Sequence, residues 1–346
     1  MREVYPGIYV ITEKGRLGGL KPAVNIYVIT GSNGLIFDAG YGTAGDVKHF
    51  IKEYQSIIRL CKDRGRPCTI SRILSSHMHP DHFAGLKKIR DQLGISVLLT
   101  EKMASLVVSR KTYVASYDNE KLFSDAVNNH FYRKYMIPVL QKIGDIFYSC
   151  LYGINFIPDP DMIIDDDTEI DVNGEKWRIF PSPGHASEHI SLYDPKRGVL
   201  FAGDNVLRTI TPWLGPPKSD LEAYIRSLKE LRVLPKLQVI FAAHGSPVVD
   251  PKKRIQEIID WRMERLDHVR AIVMKYGRIG VTMKNIIAEI YPGINFIRHM
   301  MARGWVELSL QFLENNGEII SRVGKGTVKF FYPAAGKAPA GNENHL

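Results

Sequence analysis

The stretch "HMHPDH" sets His77, His79, Asp81 and His82 within six residues of one another. Three imidazoles and a carboxylate crowded together in a soluble chain would each need a hydrogen-bond partner or full access to water. A metal answers the crowding directly, because neutral imidazole and carboxylate are preferred ligands of zinc, iron and manganese. His77 and His79 stand at alternate positions of an extended segment and point the same way. A helix begins at His82, and its turn brings Asp81 and His82 around towards a second centre.

Further candidates recur where short apolar runs end. "SPGH" closes one such run with His185, "FAGD" another with Asp204, and "FAAHG" a third with His244. His189, four residues after His185, is the one serious rival. His185 is preferred because it follows the strand-ending Pro183-Gly184, whereas His189 begins the next strand. His49, His130, His268, His299 and His345 lie in helical or terminal patterns and read as core or surface residues. "DPDMIIDDDTE" lacks the spacing and glycine of a calcium-binding EF-hand loop and reads as a solvated turn.

These residues need a scaffold that delivers loops to one place. "GIYVITE", "AVNIYVITG" and "GLIFDAG" read as short strands, and "DVKHFIKEYQSIIRLCK" has the apolar spacing of an amphipathic helix. "SRILSS" runs as a strand into the histidine cluster, a helix leaves it and ends at Gly94, and "ISVLLT" is again a strand. A second strand series follows: "TEIDVNGEKWRIFPSPG", a hairpin about Asn173-Gly174, then "HISLYD", "GVLFAGD" and "LQVIFAAHG". Two strand series with helices between them predict an α/β fold of two packed sheets covered by helices, with ligands on loops at strand ends.

The spaced set HxHxDH, His, Asp, His resembles the metallo-β-lactamase superfamily over about residues 1–250, and all seven ligand positions of that pattern have a match. The resemblance implies an αββα sandwich with the site along one edge of the two sheets. It implies that His77, His79 and His185 hold a first metal, that Asp81, His82 and His244 hold a second, and that Asp204 bridges them. Asp81 doubles as the candidate proton acceptor. Asp38, in "IFDAG", matches an early aspartate common in that superfamily and is expected to support a ligand rather than be one. Relatives often carry "PGHTPGH" where this chain has "PGHASEH", so Glu188 replaces a turn-forming glycine and puts the local turn in question.

The implied chemistry is hydrolysis of a small-molecule ester, thioester or lactone by a hydroxide bridging two divalent ions, zinc first, with iron or manganese as alternatives. Two other readings stand beside it. One is a metal-dependent nuclease acting on RNA or another phosphodiester, and the other is an iron-dependent sulfur dioxygenase.

Length and composition frame these readings. The 346 residues suffice for one large core and a smaller module, and the apolar fraction of 45% is that of a globular protein. No run of eighteen apolar residues occurs and the first residues carry no apolar leader, so a cytoplasmic protein without membrane contact is expected. Cys61, Cys68 and Cys150 form no CxxC pair, which suits a reducing compartment. Net charge is +9, and fifteen Lys and Arg against nine Asp and Glu from Pro251 onward put +6 in the last quarter.

That basic segment, about residues 251–332, reads as helices followed by a small hairpin, a winged-helix-like module. Its charge admits weak nucleic-acid binding, and its alternative role is a pocket wall or homodimer contact. An aromatic-rich helical insertion over about residues 102–157 is expected to form a lid. Residues 333–346 are expected to be a disordered tail.

Overall fold

A computed structural model of the chain describes residues 1–15, 21–116, 146–147, 149–293, 296–324 and 328–334. Most of the aromatic stretch of the expected insertion, and nearly all of the expected tail, lie outside the described residues.

The first sheet orders its strands as they come in the chain. These are β1 (Arg2–Tyr5), β2 (Ile8–Glu13), β3 (Val24–Ile29), β4 (Gly34–Phe37), β5 (Ile70–Leu74), β6 (Ser96–Thr100) and β7 (Met162–Ile164). Pairing is antiparallel from β1 to β4. It is parallel from β4 to β7, where helices make the crossovers. The second sheet runs β12 (Val239–Phe241), β11 (Val199–Phe201), β10 (Ile190–Asp194), β9 (Glu175–Pro181) and β8 (Thr168–Val172). Its first hairpin turns on Asn173 and Gly174, at φ 58° and 79°, with Val172 opposite Glu175. Both residues occupy the left-handed region that a two-residue hairpin needs, so the Asn-Gly expectation is met.

The sheets face each other through aromatic side chains. Phe201 lies 5.2 Å from Tyr27, 5.5 Å from Phe37 and 5.4 Å from Phe241, ring centre to ring centre. Trp177 stacks on Phe201 from the same sheet and is buried. Helices cover the outer faces. α1 (Ala44–Asp63) and α3 (Leu86–Leu93) lie on the first sheet and bury Phe50, Ile57, Leu86 and Ile89. α6 (Leu221–Arg232) and α7 (Pro251–Tyr276) lie on the second and bury Leu228, Ile255 and Ile258. Four layers, helix–sheet–sheet–helix, result.

Of the insertion, α4 (Glu101–Val107) and α5 (Arg110–Ser116) are described. Tyr113 of α5 packs on Phe83 and Phe156, which ties this helix to the cluster loop. Beyond α7 come β13 (Val281–Thr282), α8 (Met283–Ile290), α9 (Phe296–Asn315), β14 (Ile319–Val323) and β15 (Lys329–Pro333). The three strands form a small sheet in the order β13-β15-β14. Ile286, Val306 and Phe331 belong to the same apolar cluster as Leu228, Ile258 and Tyr193. The C-terminal elements therefore share a core with the outer face of the second sheet. No helix among the described residues is long and apolar enough to cross a membrane.

Candidate metal centre

Five loops leaving the C-terminal ends of strands meet at one edge of the sandwich. β4 delivers Asp38, β5 the His77–His82 segment, β9 His185, β11 Asp204 and β12 His244. His79 caps the short helix α2 (Pro80–Phe83), with Pro80 at its first position, so the extended arm ends where the helix begins. Two glycines allow the convergence. At Gly203 (φ +49°) an added Cβ would sit 2.5 Å from His189 Nε2, and at Gly184 it would sit 2.2 Å from the Tyr224 backbone. Neither position has room for a side chain.

The seven sequence candidates fall into two groups: His77, His79, His185 and Asp204, and then Asp81, His82 and His244. In the first, His79 Nδ1 lies 2.9 Å from both His77 Nε2 and His185 Nε2. Asp204 faces both groups. Its Oδ2 is 3.3 Å from His185 Nε2, and its Oδ1 is 3.2 Å from His244 Nε2 and 3.6 Å from His82 Nε2. Asp81 completes the second group, 3.4 Å from His244 and 3.7 Å from His82.

Supports behind the ring nitrogens settle which atoms point inward. His185 Nδ1 donates to the Trp213 carbonyl (2.9 Å) and His244 Nδ1 to the Ala23 carbonyl (2.6 Å). Carbonyls only accept, so Nδ1 carries a proton in each ring and Nε2 faces the cluster, bare in His185 and bare in His244 once its second proton is given up. Asp38 takes the same part for His82, with Oδ2 3.1 Å from its Nδ1, while its Oδ1 accepts from Ser76 N at 2.7 Å. Asp38 thus stands behind a candidate ligand. Ser76 Oγ lies 3.0 Å from His77 Nδ1.

His189 is placed differently. Its Nδ1 meets Ser182 Oγ at 2.9 Å and its Nε2 accepts from the Asp204 backbone N–H at 3.3 Å, so both nitrogens are occupied by the fold. Glu188 does not disturb the turn, because it avoids the left-handed region that would demand glycine. Its buried carboxylate instead accepts from Met78 N (3.2 Å), and Tyr113 OH donates to Met78 O (3.1 Å). The residue between His77 and His79 is therefore gripped from both sides. The Trp213 and Ala23 carbonyls had no signature in the sequence, since every residue carries one. Glu188 did have a signal, its departure from the commoner motif.

Charges divide the groups as sharply as geometry. Burial holds His77, His79 and His185 below the ordinary imidazole value, His79 at about 3, so all three are neutral. Burial also pulls on His82, but the carboxylates of Asp81, Asp38 and Asp204 outweigh it and raise the ring to about 9. His244 is likewise raised well above its usual value, Asp204 and Asp81 prevailing over burial. Burial works to raise both acids, yet the neighbouring histidine charges bring Asp81 to about 2 and Asp204 well below the usual range.

The donor set fits metal ions on an internal test. Among the described residues, His82 Nε2 and Asp204 Oδ1 are buried with no well-formed hydrogen bond, only the 3.6 Å approach to each other and, for Asp204 Oδ1, the 3.2 Å approach to His244 Nε2. Orphaned polar atoms of that kind are costly unless something else satisfies them, and a cation would. Four protein donors then surround each position, counting one Asp204 oxygen for each.

Metal uptake should therefore release protons from one group only. Near pH 7 the first group has none to lose, whereas His82 and His244 must each give one up, so about two protons per chain are expected on full loading. Apparent affinity of the second group should rise with pH towards about 9, the His82 value, and fall below it. Calorimetric titrations in buffers of different ionisation heat measure the number. No proton release would show that His82 and His244 are already neutral before metal binds.

Comparison with known proteins agrees with this architecture. The sequence profile of the Metallo-beta-lactamase superfamily matches residues 21–244, more than half of the chain. A Beta-lactamase-like protein 2 homolog of Caenorhabditis elegans is 22% identical over 297 residues, covering 85% of this chain and 80% of that protein. The crystal structure of a Beta-lactamase domain protein from Burkholderia ambifaria superimposes with a TM-score of 0.74 at 19% identity, over 96% of this chain and 93% of that one. A shorter match, 25% identical over 178 residues, is to the atrochrysone carboxyl ACP thioesterase AgnL7 of Paecilomyces divaricatus, covering 49% of this chain and 54% of that protein. With the profile spanning every candidate ligand and the His/Asp cluster assembled at the sheet edge, the chain belongs to the metallo-beta-lactamase superfamily and is a metal-dependent hydrolase.

Proposed function

We propose that the protein hydrolyses a small-molecule thioester, ester or lactone at a centre of two divalent ions, zinc in first place. The observation that supports this reading is that Asp204 faces two sets of three further candidate ligands, His77, His79 and His185 on one side and Asp81, His82 and His244 on the other. Nitrogen and oxygen donors, four to each position and without cysteine, suit zinc. When bound, the ions lower the pKa of water towards about 7 and draw off charge developing on the scissile group. Asp81, half-buried and kept ionised, is in the form needed both to ligate and to accept a proton. No serine or cysteine nucleophile is called for.

The substrate class rests on the rim. Trp213 and Ile210 are 50% and 61% exposed, although both are large and apolar, and Trp213 adjoins His185 through its carbonyl. Such a surface suits an acyl or aromatic group beside the reacting bond. The thioesterase among the relatives points the same way.

The C-terminal charge gives a nuclease little support, because many of its cations are spent within the fold. Arg262 and Arg303 are buried. Arg254 caps the Leu207 and Ile210 carbonyls, and Arg270 pairs with Glu318. We assign the C-terminal elements, winged-helix-like in their helix and hairpin order, to the wall of the site.

Metal analysis followed by a panel of thioester, lactone, ester and RNA substrates tests the reading. Two metals per chain and turnover of an acyl substrate that changes little between 50 and 200 mM salt are expected. A nuclease gripping a single strand by four phosphates would lose about fiftyfold in affinity over that range. Metal-dependent RNA cleavage with such a slope, and no acyl turnover, would overturn the proposal.

A further inference from the structure

The loop between β11 and α6 carries the carbonyl that orients His185, and the C-terminal helices hold that loop. Arg254 of α7 donates from Nε to the Leu207 carbonyl (2.8 Å) and from Nη2 to that of Ile210 (3.0 Å). Two turns further along α7, Arg262 donates from Nη2 to the Pro212 carbonyl. The next residue is Trp213, whose carbonyl accepts from His185 Nδ1. On α9, Gly304 lets the loop lie close. An added Cβ there would be 3.1 Å from both the Leu214 carbonyl and Gly215 Cα.

Arg262 has a second connection. Its guanidinium lies 5.6 Å from the ring centre of Tyr224, and Tyr224 OH donates to the Asn205 carbonyl (2.7 Å), one residue beyond Asp204. Gly184, next to His185, packs against the Tyr224 backbone. One side chain from the C-terminal elements thus touches the supports of His185 and of Asp204 together.

The chemistry of Arg262 argues against mere packing. It is 5% exposed, and no ion pair with a carboxylate is formed by it among the described residues. Among the described residues its Nε is buried without a hydrogen-bond partner, and its charge lies against the rings of Trp261 and Tyr224. Burying a guanidinium on these terms is unfavourable, and an apolar residue of like volume would fill the space at no such cost. What an apolar residue lacks is a donor for the Pro212 carbonyl.

We propose that Arg262 is a positioning residue for the metal centre: by holding the Pro212–Trp213 segment it keeps the Trp213 carbonyl on His185 Nδ1, and so keeps His185 Nε2 turned towards His79 and Asp204. The inference rests on the metal-centre reading above. It gives the C-terminal elements a defined part in that centre, the fixing of one histidine tautomer and ring orientation, as outer hydrogen bonds do at metal sites generally.

The test uses the full chain and reads metal affinity. Wild type, Arg262→Met, Arg262→Lys and Gly304→Ala are loaded with cobalt(II), and the two binding steps are followed by absorption in competition with a chelator. Thermal unfolding of the metal-free proteins runs in parallel. Arg262→Met is expected to weaken one step by about tenfold, the lower end of the loss seen when an outer partner is removed, and to leave the other unchanged. Arg262→Lys, which restores one donor, should recover most of the loss.

Gly304→Ala crowds the same loop at Leu214 and Gly215 and should weaken the same step, which keeps the test open if Arg262→Met does not fold. Both steps unchanged in the variants, or both weakened in proportion to a lower melting temperature, would overturn the inference while the metal centre stands. A wild-type chain that takes up no metal would overturn the centre itself and the inference with it.

Discussion

Replacing Asp204 with Ala is expected to lower occupancy at both metal positions at once and to abolish hydrolysis. Its two oxygens face different histidines, Oδ2 towards His185 and Oδ1 towards His82 and His244. Removing the side chain takes one donor from each set and one of the two carboxylates that face both raised histidines, leaving them Asp81. Loss of an outer hydrogen-bond partner at a metal site costs about 10–100-fold in affinity, and loss of a ligand common to two ions should exceed about 100-fold at both. Elemental analysis of the purified variant, after dialysis against a weak chelator, measures this. Full two-metal occupancy in Asp204→Ala would remove Asp204 from the bridge.

His185 and His189 should part company just as clearly. His185→Ala is expected to strip the ion of the first group and end turnover, since the buried ring turns its Nε2 towards His79 and Asp204 among the other candidate ligands. His189→Ala should leave two ions in place and lower stability instead. That ring receives the Asp204 backbone N–H and contacts Ser182 in the interior, and leaving such buried groups unpaired costs about 1–3 kcal/mol. Metal content and thermal unfolding, taken together on both variants, separate the two roles. Loss of metal from His189→Ala with retention in His185→Ala would exchange them.

Glu188 illustrates how far local sequence can mislead. Standing in place of a turn glycine, it points to an altered turn. The turn has no need of glycine there, and the carboxylate is used 110 positions away along the chain, on Met78 N. The basic C-terminal segment is a second case. Its charge pattern invites an anionic partner, but a charge count is blind to direction. Arg254, Arg262 and Arg270 all turn inward onto carbonyls or Glu318.

The seven candidate ligands are legible in the sequence because coordination demands particular side chains, and those side chains recur after apolar runs that can only be strands. The Asn173-Gly174 hairpin is legible for a similar reason, since its backbone angles restrict which residues can sit there. Both are constraints on residue type, and residue type is what a sequence records. The orienting groups behind the ligands are of another kind. The Trp213 and Ala23 carbonyls are backbone atoms with no residue preference, and Arg262 reaches its carbonyl across 50 positions of chain. Such partners are chosen by how two sheets and the helices upon them pack, so only the tertiary structure decides them.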